Sequence, residues 1–110
     1  MAKFVKGDIV VVPFPFTDLT QSKRRPAFVI SELSGDDRIL CQITSQSVRD
    51  EYSVSIDDSD FETGGLHHKS NVRPNRIFTC DMTIILYRIG HLKSEKIKQI
   101  TNKLIEILKS

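Results

Sequence analysis

Short runs of β-branched and aromatic residues, separated by polar turns, occupy most of the chain. The first run predicts a strand over Asp8–Phe14, because such residues fit a pleated, largely buried surface. Further strands are predicted in the stretches PAFVIS, RILCQIT, YSVSID and SNVRPNRIFTCD, with a Ser-Gly-Asp-Asp turn between the second and the third. Short strands at this spacing favour a mainly β fold, a curled sheet or partly open barrel of antiparallel strands.

Local signals add detail to these strands. Pro26 is expected at the first position of the second strand, and Pro74 is expected to interrupt the strand that contains it. In YSVSID, alternation places Tyr52, Val54 and Ile56 on one face. The polar stretch that precedes Pro26 predicts a surface loop through residue 24.

The C-terminal segment has the spacing of an amphipathic helix that covers a small sheet. Before it, TIILYRIGHL fits either a strand or a short helix followed by a turn at Gly90. Ser94 is expected as the N-cap, and Glu95 follows where the helix dipole favours an acid. The apolar face predicted from helical spacing consists of Ile97, Ile100, Leu104, Ile107 and Leu108.

Composition narrows the class of protein. The 110 residues are 39% hydrophobic and 27% charged, which predicts a single globular domain over 1–110. The chain has no run of 18 apolar residues and begins without an apolar signal segment, so we expect a cytoplasmic protein. Cys41 and Cys80 lie in apolar runs and are expected to be reduced core residues.

Charge is unevenly distributed along the chain. The net charge is +2, yet residues 32–62 hold nine acids and two bases, and the other residues hold five acids and fourteen bases. One basic and one acidic face would result, and a basic face suits phosphate. Solvated loops with no partner account for the same pattern equally well.

The histidines do not form a metal-binding pattern. His67 and His68 are adjacent and point to opposite sides of an extended chain, and His91 stands alone. No Cys-x-x-Cys, Gly-rich phosphate loop or Gly-x-Ser-x-Gly motif is present. We therefore expect neither a metal nor another cofactor.

The remaining candidates for chemistry are basic or hydroxylic. Arg25 precedes a strand, Thr44 and Ser45 end another, and NVRPNR supplies Arg73 and Arg76. Cations that meet developing phosphate charge, together with hydroxyls that orient its oxygens, suit a phosphodiester substrate. An ordinary strand position for Thr44 and a solvated loop for Arg25 remain open alternatives.

Taken in order, KGDIVVVPFPFTD, KRRPAFVIS, ITSQ, SNVRPNRIFTCD and RIGHL resemble the MazF/PemK-like toxin family from about residue 6 to residue 108. The resemblance implies an SH3-like, partly open barrel with a C-terminal helix, the MazF/PemK/CcdB-like toxin fold, and a homodimer. It implies a type II toxin with a cognate antitoxin, and operator DNA bound only by their complex. The implied activity is that of an mRNA interferase, a metal-independent, sequence-selective endoribonuclease acting on single-stranded RNA.

The same resemblance implies roles for individual residues. Arg25 matches the catalytic arginine before the proline and Thr44 the strand-end threonine, while Arg73 is a third catalytic candidate, as a second phosphate clamp or an aid to the leaving group. Gly7, Asp8 and Pro26 match motif positions that shape the fold and the loop. The expected RNA-binding residues around the catalytic ones are Thr17, Asp18, Lys23, Arg24, Ser45, Gln46, Asn75 and Arg76.

Two positions depart from the family pattern. Some members have Arg-x-Asp where this chain has Arg-Pro-Asn, so Asn75 replaces an acid. Many have Arg-Thr-Ile-Asp where this chain has Phe-Thr-Cys-Asp, at residues 78–81. The general base is left open among Asp18, His67, His68 and Asp81.

Two other functions are compatible with the sequence. A CcdB-like DNA gyrase poison would share the fold without needing Arg25 or Thr44. A non-catalytic SH3-like nucleic-acid-binding module would bind RNA and leave it intact. The integrity of RNA after incubation with the protein distinguishes cleavage from both alternatives.

Overall fold

A computed structural model describes residues 3–14 and 23–110. Seven antiparallel strands form one curled, half-barrel sheet in the order β4-β6-β3-β2-β1-β7-β5, and a C-terminal helix follows them, which confirms the predicted fold class. Short 3₁₀ turns cover Asp58–Asp60 and Met82–Ile84. The elements are β1 Asp8–Phe14, β2 Lys23–Glu32, β3 Asp37–Thr44, β4 Val54–Ile56, β5 Phe61–Gly64, β6 Ser70–Asp81, β7 Tyr87–Leu92 and α1 Ser94–Lys109.

Both faces of the sheet are buried over much of their area. Successive side chains of a strand point to opposite faces, and the central strands carry apolar residues on each face. The helix-side core lies under α1 and is built from Ile9, Phe28, Ile30, Cys41, Ile43, Val54, Ile56, Phe61, Val72, Leu92 and Ile100. The opposite-face core is built from Val10, Val12, Ala27, Val29, Leu40, Cys80 and Ile85.

The two cysteines are buried and free, as predicted. Burial raises the pKa of both thiols, that of Cys80 to about 11, so both remain protonated near neutral pH. No helix in the described part of the chain is long and apolar enough to cross a membrane.

The helix confirms the predicted amphipathic segment but begins differently. Lys93 is the N-cap residue, because its carbonyl accepts the first helical bonds from Lys96 and Ile97, so the prediction of Ser94 was wrong. Ile100 is buried as expected. Leu108, also expected on the apolar face, is 71% exposed and belongs to neither core.

Three details of the strands were also predicted wrongly. β2 begins at Lys23, so Pro26 is its fourth residue and the three cations lie in a strand. The proline is tolerated because pairing of β2 with β3 ends at Ala27, so its missing N–H breaks no bond to β3. Tyr52 lies outside β4 and is exposed, although Val54 and Ile56 are buried.

Gly90 lies inside β7 instead of at a turn. It pairs with Ile9 on one side and Gly64 on the other. A Cβ at Gly90 would collide with the carbonyl oxygen of Thr63, so glycine permits the close approach of β5 to β7.

A three-residue bulge interrupts β6 at Pro74, as predicted. Cys41 of β3 pairs with Ile77, whereas the next residue, Gln42, pairs with Arg73. Residues 74–76 of β6 therefore pair with no residue of β3. Pro74 is buried, while the two residues after it are exposed, and the strand resumes its pairing beyond them.

Candidate active site

A cleft of about 260 Å³ lies where the opposite-face core ends. Along β3, Leu40 belongs to that core, and Gln42 and Thr44 continue the same face toward the strand end. This cleft unites four predicted site residues, Arg25, Thr44, Gln46 and Arg73. Its full lining is Val12, Phe14, Arg25, Pro26, Gln42, Ile43, Thr44, Gln46, Arg73 and Phe78.

Arg25 reaches the cleft from β2, where it pairs with Val12 of β1. Its side chain is exposed, and no carboxylate within residues 3–14 and 23–110 forms an ion pair with it. A guanidinium with free donors can bind a phosphate through two parallel hydrogen bonds. Arg25 is therefore suited to hold an anion in the cleft.

Thr44 ends β3 with its hydroxyl oriented by the backbone. Its Oγ1 accepts a hydrogen bond of 3.2 Å from the N–H of Gln46. Since that bond uses an acceptor site of the hydroxyl, the Thr44 proton remains available to donate to an oxygen in the cleft.

Arg73 enters from β6, opposite Gln42, and is more enclosed than Arg25. Its Nη2 donates to Oδ2 of Asp50 at 3.2 Å, and its side chain is 22% exposed. Its Nε is buried and has no partner among the residues described. A buried donor without a partner is costly in a folded protein, so it marks a place where a ligand oxygen would be stabilising.

Asp50 was missed by the sequence interpretation. Its Oδ1 accepts hydrogen bonds from the N–H groups of Tyr52 and Ser53, the pattern of an aspartate that fixes a turn. Partial burial acts to raise the pKa of Asp50, but the backbone donors and the Arg73 guanidinium outweigh it and hold the pKa below its usual range. An aspartate in a polar segment just before a strand was the only available signal.

Two aromatic rings form an apolar wall of the cleft, and the sequence analysis did not assign them to the site. Phe14 ends β1 and Phe78 lies on β6, with ring centroids 6.0 Å apart and planes inclined by 47°. Aromatic surface next to cations is typical of sites that bind nucleotide bases and phosphates together.

Other predicted site residues lie elsewhere. Asn75 and Arg76 project from the β6 bulge, and Lys23, Arg24 and Ser45 are exposed near the cleft; none of the five lines it. Thr17 and Asp18 are outside the described residues.

The proposed bases His67, His68 and Asp81 do not line the cleft either. Asp81 pairs with Asp37 at the far end of the β3–β6 ladder, and hydrogen bonds from the Thr83 N–H and hydroxyl lower its pKa. In the described part of the chain, no three His, Cys, Asp or Glu side chains gather in a way that could hold a metal ion.

Comparison with protein families gives one match over nearly the whole chain. Residues 5–108 match the model of the PemK-like, MazF-like toxins of type II toxin–antitoxin systems. No curated protein sequence matches the chain.

Solved structures share the fold at low identity. One is an endoribonuclease in complex with its cognate antitoxin from a mycobacterial species, with a TM-score of 0.77, 14% identity and coverage of 97% of this chain and 96% of that one. A second is MazF from Deinococcus radiodurans, with a TM-score of 0.74, 19% identity and complete coverage of both chains. A third is the MazE–MazF complex of the same organism, with a TM-score of 0.71, 18% identity and coverage of 98% and 97%.

Proposed function

Because this chain belongs to the PemK-like, MazF-like toxins of type II toxin–antitoxin systems, we propose that it is a metal-independent endoribonuclease that cleaves single-stranded RNA at selected sequences. The observation that carries this proposal is the meeting of Arg25, Thr44 and Arg73 in one cleft. Two guanidinium groups and an oriented hydroxyl match the needs of a phosphodiester whose negative charge grows in the transition state.

The nucleophile is the 2′-hydroxyl of the RNA itself. The 2′-oxygen loses its proton and attacks phosphorus, the bond to the 5′-oxygen breaks, and that oxygen takes up a proton. The products are a 2′,3′-cyclic phosphate and a 5′-hydroxyl end, and DNA is not cleaved because it lacks the nucleophile.

The cleft residues stabilise and orient the reacting phosphate. Arg25 binds its non-bridging oxygens, Thr44 donates one hydrogen bond to them, and Arg73 forms a second clamp near the leaving oxygen. An arginine is a poor general base because a guanidinium stays protonated at neutral pH, so electrostatic stabilisation is the role assigned to both guanidinium groups.

A cognate antitoxin is the second partner. Structural neighbours include an endoribonuclease in complex with its cognate antitoxin and a MazE–MazF complex. For this chain, an acidic antitoxin segment would occupy the same cleft and neutralise the neighbouring cations Lys23, Arg24 and Arg25 of β2. We place the activity in the cytoplasm, where mRNA is found, and assign operator-DNA binding to the toxin–antitoxin complex alone.

A homodimer is also proposed, supported by exposed apolar residues just before β7 and at its first position. Ile84, Leu86 and Tyr87 are 38%, 45% and 48% exposed. Clustered exposed apolar side chains are typical of protein interfaces. Sedimentation equilibrium of the wild type against Leu86→Glu tests this assignment, since a charge on the patch should shift a dimer toward monomer.

The activity is tested with purified protein, a long single-stranded RNA and excess EDTA. Wild type should give discrete cuts with 5′-hydroxyl ends. Arg25→Ala and Thr44→Ala should each lower the rate by about 10²–10³-fold, the usual effect of removing one transition-state donor.

Matched controls use residues that do not line the cleft. Lys98→Ala removes an exposed cation of α1, and Thr79→Ala removes an exposed β6 threonine; both should cut like the wild type. Intact RNA from folded wild-type protein would reject the proposal and direct attention to gyrase inhibition or to RNA binding without cleavage.

A further inference from the structure

The carboxylate of Asp50 joins a surface segment to the cleft. Its Oδ1 accepts the N–H groups of Tyr52 and Ser53 at 3.0 and 3.1 Å. Its Oδ2 accepts Nη2 of Arg73 at 3.2 Å. One oxygen thus fixes the backbone just before β4, and the other holds a side chain of the cleft.

The same segment is tied to β6 at a second point. Asn71 donates from Nδ2 to the carbonyl of Gln46 at 3.1 Å, and its Oδ1 accepts the hydroxyl of Ser55 at 3.2 Å. Asn71 and Arg73 are two residues apart on β6 and opposite Thr44 and Gln42 of β3. The segment of residues 45–53 is therefore fixed near both of its ends to the strand that carries Arg73.

The hydrogen bond to Arg73 joins Asp50 to the lining of the cleft. A second depression, of about 420 Å³, adjoins the cleft and shares Thr44, Gln46 and Arg73 with it. Asp50 lines this second depression and does not line the cleft. The hydrogen bond from Nη2 of Arg73 to Oδ2 of Asp50 orients the guanidinium. The buried Nε of Arg73 has no partner among residues 3–14 and 23–110.

From this geometry we propose that Asp50 is a positioning residue for RNA cleavage: it fixes the orientation of the Arg73 guanidinium so that its remaining donors face the reacting phosphate. The inference rests on the proposed ribonuclease function. Asp50 acts through Arg73 and does not itself touch the substrate.

Charge considerations separate positioning from substrate attraction. Asp50 is ionised at neutral pH, because its hydrogen bonds hold its pKa below the usual range. A negative charge beside Arg73 opposes the binding of a polyanion, so removing it should leave RNA affinity unchanged or raised. The benefit of Asp50 must then appear in the rate of the chemical step, since a misplaced catalytic group can slow a reaction by about 10²-fold.

The decisive variant is Asp50→Asn. Its amide oxygen can still accept the two backbone N–H groups, but its NH₂ group cannot accept a hydrogen bond from Arg73. We expect kcat to fall about 10–10²-fold, with KM unchanged or lower. Wild-type kcat in a folded Asp50→Asn protein, or a raised KM with unchanged kcat, would overturn the proposal.

Asp57→Asn is the matched control. Asp57 also accepts hydrogen bonds from a nearby backbone N–H and hydroxyl, both of Ser59, and these bonds likewise lower its pKa. It lines neither the cleft nor the second depression, so its substitution should leave kcat unchanged.

A double variant tests whether Asp50 acts through Arg73. In an Arg73→Gln background, Asp50→Asn should slow cleavage no further, because the side chain that it positions is gone. Multiplicative losses in the double variant would show an independent role and contradict the proposal.

A spectroscopic measurement separates this proposal from the function on which it rests. In ¹⁵N-edited NMR spectra, the buried Arg73 Nε–H should give a slowly exchanging signal in the wild type, assigned by its loss in Arg73→Lys. The signal should shift and exchange faster in Asp50→Asn and stay unchanged in Asp57→Asn. If wild type leaves RNA intact, the ribonuclease proposal fails, and an unchanged signal in Asp50→Asn would reject the positioning of Arg73 separately.

Discussion

Two arginines at opposite ends of the β3–β6 ladder have very different surroundings. Arg38 pairs with Cys80 at one end, and Arg73 pairs with Gln42 toward the other. Arg38 and Gln42 share a face of β3, because they are separated by an even number of residues. Arg38 and Arg73 therefore lie at two ends of one sheet face.

Arg38 is only 2% exposed, and its guanidinium is saturated by protein acceptors. Its Nε donates to the carbonyl of Phe4, its Nη1 to those of Gly35 and Asp37, and its Nη2 to the carbonyl of Lys3 and the sulfur of Met82. These bonds hold the N-terminal segment against the sheet and close this end of the face.

Arg73 makes one ion pair and, in the part of the chain described, leaves its buried Nε unpartnered. What separates the functional arginine from the structural one is the number of donors still available, because an unsatisfied donor gains most from an incoming acceptor.

Substitution of Arg73 should change the rate of catalysis more than any other variant changes activity or stability. Arg73→Gln should lower kcat by about 10²–10³-fold, because a guanidinium donor to the transition state is lost. Its urea unfolding midpoint should stay close to that of the wild type. Single-turnover cleavage measures the rate, and urea denaturation measures the midpoint. An Arg73→Gln variant that unfolds at lower urea than the wild type but cleaves RNA at the normal rate would make Arg73 a structural residue.

Next in size is a loss of stability at the Arg38 end. Arg38→Met removes the donor to several carbonyl oxygens, and the free energy of unfolding should fall by about 1–3 kcal/mol. Cleavage per folded molecule should be unchanged, because Arg38 does not line the cleft. Chemical denaturation checks the loss of stability, with Arg76→Met, at an exposed arginine of β6, as the reference.

A smaller change is expected in the salt dependence of RNA binding. Binding of an uncleavable 2′-O-methyl RNA should weaken as salt rises, and the slope of log K against log salt should fall by about 0.7 in Arg25→Gln for one lost phosphate contact. Arg38→Met should leave the slope unchanged. Equal slopes for wild type and Arg25→Gln would remove Arg25 from the phosphate contacts.

The smallest change is expected in the stability of the fold at acidic pH. Hydrogen bonds lower the pKa of Asp50 near Arg73 and of Asp81 at the Arg38 end. Each carboxylate therefore contributes stability above its unfolded pKa of about 3.9 and loses it as pH falls through the lower folded value. Urea midpoints at pH 7 and pH 3 should differ less in Asp81→Asn than in the wild type.

Sequence patterns predicted most of the fold because its elements depend on local periodicity. The strand Asp8–Phe14 and the apolar positions of α1 follow directly from β-branched runs and helical spacing. The cleft partners Arg25 and Thr44 were found by residue type at strand ends and by family resemblance. The start of β2 was missed because strand pairing, and not propensity, extends the strand through charged residues.

The pairing of Asp50 with Arg73 could not be predicted, because 23 positions separate the two residues. Only the folding of the 45–53 segment onto β6 brings them together. The hydrogen bonds of Arg38 to Lys3 and Phe4 could not be predicted for the same reason, since these residues lie 35 and 34 positions away. Long-range polar contacts leave little periodic signal in a sequence.

The bulge in β6 has a practical consequence for protein engineering. Residues 74–76 have no partner on β3, while pairing on both sides is fixed by Arg73 with Gln42 and by Ile77 with Cys41. Extra residues inserted after Asn75 would lengthen a solvent-facing arch without changing either register. The bulge is thus a natural attachment point for a fluorophore or affinity tag, through which occupancy of the neighbouring cleft could be followed in real time.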